Sequence, residues 1–82
     1  MQHMSTKLPR EILETAVNLR NSVRKIYVAL YANGKPSTSQ EIAQLVGQAR
    51  AHVNMRLQQL VDMNLVTVER KGRPKYFEVK KP

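Results

Sequence analysis

The sequence predicts a mainly α chain that ends in a small β-hairpin, an α+β fold in a single domain. Three observations predict it. Apolar residues recur at helical spacing in successive stretches up to about residue 63. Two runs rich in Val, Thr, Tyr and Phe follow, "LVTVER" and "KYFEVK", separated by the turn-forming "KGRP". The chain has 82 residues, 41% of them hydrophobic, which suffices for one thin core and leaves no room for a second.

Residues 1–8 show no periodicity and read as a flexible lead-in to a domain over residues 9–82. Pro9 suits a helical first turn, where its missing N–H is no loss. Ile12, Ala16, Leu19, Val23, Ile26 and Leu30 then recur at steps of 4, 3, 4, 3 and 4, one apolar stripe of heptad spacing. Leu13 and Val17 add a second apolar edge. Asn21 and Ser22 are both competent N-caps, so residues 9–33 form either one long helix or two. Gly34 and Pro36 in "ANGKP" end the pattern.

A short helix follows in "STSQEIAQLVG". Thr38 and Glu41 have capping-box spacing, Ile42, Leu45 and Val46 supply an inner face, and Gly47 closes it. Residues 48–63 form the next helix, with Val53, Leu57, Leu60 and Val61 as its apolar stripe. Asn64 is able to end it in a left-handed conformation. Residues 65–80 are then the hairpin.

Charge narrows the function. Fourteen Lys and Arg against six Asp and Glu give a net charge of +8. The excess is uneven. Residues 48–82 carry eight basic and three acidic side chains, whereas residues 1–20 carry only three and two. A polyanion is the implied partner, met by the C-terminal half, and nucleic acid fits best. An anionic membrane fits less well, because no strongly basic amphipathic helix stands alone. The chain has no cysteine, so disulfides and thiolate metal sites are excluded. No apolar run reaches the roughly 18 residues of a membrane span, and the N-terminus lacks the apolar stretch of a secretory signal. A cytoplasmic, nucleoid-associated protein is expected.

Nothing in the sequence suggests catalysis. His3 and His52 have no carboxylate at metal-ligand spacing, and there is no glycine-rich phosphate loop and no Ser/His/Asp grouping. Neither a cofactor nor a small-molecule ligand is expected. Met55 and Met63 read as core filler. Tyr27, Tyr31, Tyr76 and Phe77 read as core rather than as a base-stacking platform.

A short capped helix, a tight turn, a second helix and a basic hairpin make the order of a winged helix-turn-helix, here with an extra helix in front. The segment "VRKIYVALYANGKPSTSQEIAQLVGQARAHVNMRLQQLVDMNLVTVERKGRPKYFEV" resembles the DNA-binding core of MarR-, ArsR- and TrmB-type regulators, including small archaeal ones. The resemblance covers roughly three quarters of the chain. Glu41–Ala43 correspond to the "EIA" of the supporting helix, and Val53 and Leu57 to the anchors of the recognition helix. Two positions depart from the pattern. Ala49 stands where a Ser or Thr N-cap is usual, which costs about 1 kcal/mol, and Asn64 replaces a glycine.

The resemblance implies that the start of the 48–63 helix enters the major groove. Gln48, Arg50, His52, Asn54 and Arg56 are suited to base edges, Arg to guanine and Asn or Gln to adenine, and Ala51 to a thymine methyl. The plainer alternative is a solvated polar face, though such faces more often carry Glu and Lys. Arg70, Lys71, Arg73 and Lys75 on the wing, with Ser39 and Gln40 at the supporting helix, are expected on the phosphate backbone. The wing charges also serve to block edge-to-edge strand pairing. Arg24 and Lys25 are either outer backbone contacts or a solvated pair. Ile12, Leu13, Ala16, Val17 and Leu19 are the expected homodimer interface, the alternative being a helix folded onto its own core.

The expected function is therefore a homodimeric, double-stranded-DNA-binding transcription regulator, in the sense of a repressor. The competing readings are a low-specificity architectural or partition protein and a winged helix used for protein contact. The basic wing and polar recognition helix speak against the last.

Overall fold

Four helices and an antiparallel hairpin follow one another along residues 8–80, which are the residues described by the computed structural model. They are α1 (Arg10–Val17), α2 (Asn21–Asn33), α3 (Ser39–Val46), α4 (Arg50–Asp62), β1 (Val66–Arg70) and β2 (Lys75–Val79). Among the described residues no helix is long and apolar enough to cross a membrane. Of the lead-in expected over residues 1–8, Leu8 packs half-buried against the core, and the remainder lies outside the described residues.

The apolar stripe is buried from Ile12 through Leu30, yet the helix carrying it breaks after Val17. Neither Asn21 nor Ser22 caps the second helix. Its N-cap is Arg20, in an extended conformation and without a side-chain cap bond. The corner is closed instead by Arg24. Its Nε donates to the Ala16 carbonyl at 2.9 Å, Nη2 to the Leu19 carbonyl at 2.9 Å, and Nη1 to Asn21 Oδ1 at 3.0 Å. A guanidinium fork thus satisfies carbonyls exposed where α1 ends, and these charge-assisted bonds fix the angle between the two helices. Arg24 is accordingly a structural clamp rather than part of a solvated pair.

Helix α2 packs against α1, α3, α4 and β2, so the core is built around it. Its Ile26, Tyr27 and Leu30 are fully enclosed. Burial pushes the Tyr27 phenol above its usual 10.0, the neighbouring Tyr31 adding to the rise while Thr15 opposes it. Gly34 closes α2 in the left-handed region at φ 73°. Phe77 lies in the core as expected, while Tyr31 and Tyr76 are half-buried.

The capping box of α3 is complete. Thr38 Oγ1 accepts from the Glu41 amide at 3.2 Å, and Glu41 Oε1 accepts from the Thr38 amide at 2.9 Å. The inner face differs by one residue from the expected one. Ile42, Ala43 and Val46 turn inward, while Leu45 is exposed. Residues 42, 43 and 46 share one arc of a 3.6-residue turn, and Leu45 falls just beyond it. Left-handed Gly47 then redirects the chain, its N–H and that of Gln48 both donating to the Ala43 carbonyl. Helix α4 begins at Arg50, two residues after the expected start, with Ala49 as an N-cap that makes no side-chain bond. Val53, Leu57 and Leu60 are wholly buried, and Asn64 leaves the helix at φ 65°. Met55 and Met63, expected as filler, are exposed.

In the hairpin Val66 pairs with Val79 near the core and Arg70 with Lys75 at the tip. Only Val66 is buried on β1, so the far end of the wing stands in solvent. Beside β2, among the described residues, lies a single further bridge. Ser37 N donates to the Phe77 carbonyl at 2.9 Å, and Phe77 N donates to the Ser37 carbonyl at 2.7 Å. Ser37 is fully buried, its hydroxyl accepting from Asn33 Nδ2 at 2.7 Å and donating to the Lys35 carbonyl at 2.8 Å.

Two measurements check this account. Arg24→Met keeps the apolar stem and removes the fork. It should lower unfolding stability in urea by about 1–2 kcal/mol. Because Tyr27 is harder to ionise folded than unfolded, its contribution is complete below about pH 10 and declines as pH rises through its folded pKa. Urea midpoints should therefore fall on the alkaline side, less steeply in Tyr27→Phe.

Candidate nucleic-acid interface

The bridge between Ser37 and Phe77 decides what lies next to what. It holds the start of α3 against β2, so that Thr38, Ser39 and Gln40 line an open cleft with Arg73, Pro74 and Lys75 of the wing and Arg50 and Asn54 of α4. Residues from three separate segments meet there. The spacing explains the α4 contribution: Arg50 and Asn54 are one turn apart and share a face, on the flank beside the buried stripe of the helix.

Three of the six expected base-reading residues occupy that exposed front: Arg50, Ala51 and Asn54. The other three are half-buried. Gln48 precedes the helix and lies between a cleft with Asn21, Ser22, Arg24, Lys25 and Val28 on the α2 side and a second one that it shares with Gln40 and Arg50. Its Oε1 is buried without a hydrogen-bond partner. Arg56 turns toward the α1–α2 corner, beside Leu19, Arg20 and Val23, with Nη1 donating to Gln59 Oε1 at 3.1 Å. His52 lies one turn before Arg56 on the same flank and is half-buried. Within α4 the 3.6-residue period sends His52 and Arg56 round the cylinder from Arg50 and Asn54, which their linear proximity conceals.

Two residues join the front that sequence reasoning left out. Gln58 is exposed one turn beyond Asn54, and Met55 is half exposed beside Ala51. The signal for Gln58 was available, since 50, 54 and 58 is a run of i, i+4 positions. Of the expected backbone contacts, Ser39, Gln40, Arg73 and Lys75 line the cleft, and Arg70 and Lys71 project at the exposed wing tip. The Ser39 hydroxyl donates to Asn54 Oδ1 at 2.8 Å, joining α3 directly to α4.

The electrostatics of this surface are one-sided. Among the described residues the single ion pair is Arg10 with Glu14, at 4.0 Å and well exposed. Arg50, Arg70, Lys71, Arg73 and Lys75 therefore keep their charge unpaired. At the tip Arg70 and Lys75 are directly opposite across the strands, and like charges so placed repel. An anion at the tip relieves that repulsion. The Ser39 and Gln40 amides, which the α3 capping box does not engage, offer further donors to a phosphate oxygen.

For the expected dimer surface, the structure separates two classes. Ile12, Ala16 and Leu19 are 3%, 2% and 6% exposed and belong to the protomer's own core. Leu13 and Val17, one turn apart on α1, are 49% and 59% exposed.

Comparison with known proteins bears on the identity of this arrangement. No curated protein matches the chain. Among solved structures, the ST1889 protein from the thermoacidophilic archaeon Sulfolobus tokodaii superposes with a TM-score of 0.71 at 17% identity, over 88% of this chain and 72% of that one. The homodimeric winged helix-turn-helix DNA-binding domain of Mb0332 from Mycobacterium bovis, a possible ArsR-family transcriptional regulator, superposes with a TM-score of 0.61 at 17% identity, over 93% and 75%. At such identity these likenesses establish the winged-helix fold. Family membership comes from the sequence: residues 13–82 match the family described as "Sugar-specific transcriptional regulator TrmB". The chain belongs to the TrmB family, and its winged helix-turn-helix is that of a DNA-binding transcription regulator.

Proposed function

We propose that this regulator reads duplex DNA with the exposed front of α4 in the major groove and the wing on the adjoining backbone, as a homodimeric repressor. The observation that carries the reading is the cleft itself. Arg50 and Asn54, which have the right chemistry for guanine and adenine edges, share it with Arg73 and Lys75 and with the start of α3. Base readout and phosphate anchoring thus occur on one continuous surface. Gln58 and Met55 extend the reading front, while Gln48, His52 and Arg56 support the flank of the helix and touch no base.

Dimerisation in this scheme uses Leu13 and Val17, whose apolar side chains are exposed on α1. The homodimeric state of the Mycobacterium bovis domain supports it by analogy. A two-fold axis through this surface makes the operator a palindrome whose half-site spacing reports the separation of the two α4 helices. Repression follows from occupancy of a promoter, at the nucleoid within the cytoplasm.

Selection from a random duplex library at about 150 mM salt, where non-specific affinity has largely fallen away, tests the whole scheme. An enriched palindrome is expected. Retention without enrichment would show an architectural protein instead. Arg50→Ala should cost about 1–3 kcal/mol on the selected site and relax one base position. Arg73→Ala should weaken all sequences alike and reduce the salt slope by about 1. Arg56→Ala should leave the selected sequence unchanged. Leu13→Glu should give a monomer by sedimentation, and a dimer surviving it would place the interface elsewhere.

A further inference from the structure

The hydrogen bond between Ser39 and Asn54 joins residues 15 apart in sequence, across two helices, at the centre of the candidate interface. Ser39, at the first position of α3, is expected from the sequence on the phosphate backbone. Here the geometry argues otherwise. A hydroxyl has one proton, and that of Ser39 is given to Asn54 Oδ1. A phosphate oxygen only accepts, so the Ser39 side chain has nothing left to donate to it while this bond holds.

We propose that Ser39 is a positioning residue for base recognition, its hydroxyl tethering the Asn54 amide in place. The proposal rests on the groove reading above. A free side-chain amide presents its oxygen and nitrogen interchangeably by a half-turn. The bond from Ser39 holds the amide oxygen inward, and a half-turn would break it and require the hydroxyl to accept from the NH₂ group instead. Asn54 then points its NH₂ group outward, which makes no hydrogen bond among the described residues, and keeps a second lone pair on Oδ1. One donor and one acceptor side by side match N7 and the N6 amino group of adenine. Ser39 thereby steadies the donor–acceptor pair that Asn54 offers to an adenine edge, without touching the base.

The test compares wild type, Ser39→Ala, Ser39→Thr, Asn54→Ala and the Ser39→Ala/Asn54→Ala double variant by library selection and by titration of single-base variants of the selected site. Thermal unfolding confirms that each is folded. Ser39→Ala should reduce discrimination by roughly 3- to 10-fold at the one base pair that Asn54→Ala also relaxes, and nowhere else. The double variant should discriminate no worse than Asn54→Ala alone, and Ser39→Thr, which keeps a hydroxyl, should retain most of the preference. A Ser39→Ala loss spread evenly over all duplexes would make Ser39 a phosphate contact and overturn the proposal. So would unchanged discrimination beside a clear Asn54→Ala effect. If Asn54→Ala relaxes no position, it is the groove reading itself that fails.

Discussion

A reciprocal pair of backbone hydrogen bonds between Ser37 and Phe77 is the constraint on which the remaining geometry depends. Phe77 is wholly buried and faces the core from β2, and Ser37 is the last residue before the α3 cap. Joining them pins the wing to the start of α3. The Ser37 hydroxyl, bonded to Asn33 and to the Lys35 carbonyl, extends the tie to the end of α2. Every polar group at this buried junction that has been named is satisfied, so the junction carries little of the desolvation cost that loosens such sites. Three segments distant along the chain are thereby held within one cleft.

On that base, α4 has a division of labour around its circumference. Val53, Leu57 and Leu60 hold it to the core, Arg56 and His52 face the α1–α2 side, and Arg50, Ala51 and Asn54 are left outward. Its start is weakly secured, since Ala49 offers no side-chain cap. Contacts around the first turn make up for this in part: the Gly47 turn fixes the entry, and Ser39 holds Asn54 from α3. The wing accepts a comparable local cost, placing Arg70 against Lys75 where a neutral pair would be more stable. Both costs lie on the surface proposed to meet DNA, where local rules are commonly broken for function.

Much of the fold was legible in the sequence because it rests on local physics. Turn glycines, the Thr38–Glu41 box, the α2 and α4 stripes and the two strand runs are all properties of a few neighbouring residues. The candidate site was legible in its residue types and in the half of the chain that bears it. Its composition was less so. Leu45, Met55 and Met63 were misread because an apolar side chain at the edge of an arc is decided by what packs nearby.

The sequence by itself determined the element order, the Thr38–Glu41 capping box, the glycine closures and the basic C-terminal half that implies a polyanion, since each follows from spacing, backbone preference or summed charge. Only the tertiary structure decided the rest. Arg24 became a clamp because the helix break put two carbonyls within reach of its guanidinium, and no pattern of neighbours announces that. Ser39 met Asn54 because the Gly47 turn folds α3 across α4. Ile12, Ala16 and Leu19 went inward, leaving Leu13 and Val17 outside, because one helix face can be buried only once. Such contacts depend on where distant segments come to rest, and that is set by the packing of the core as a whole.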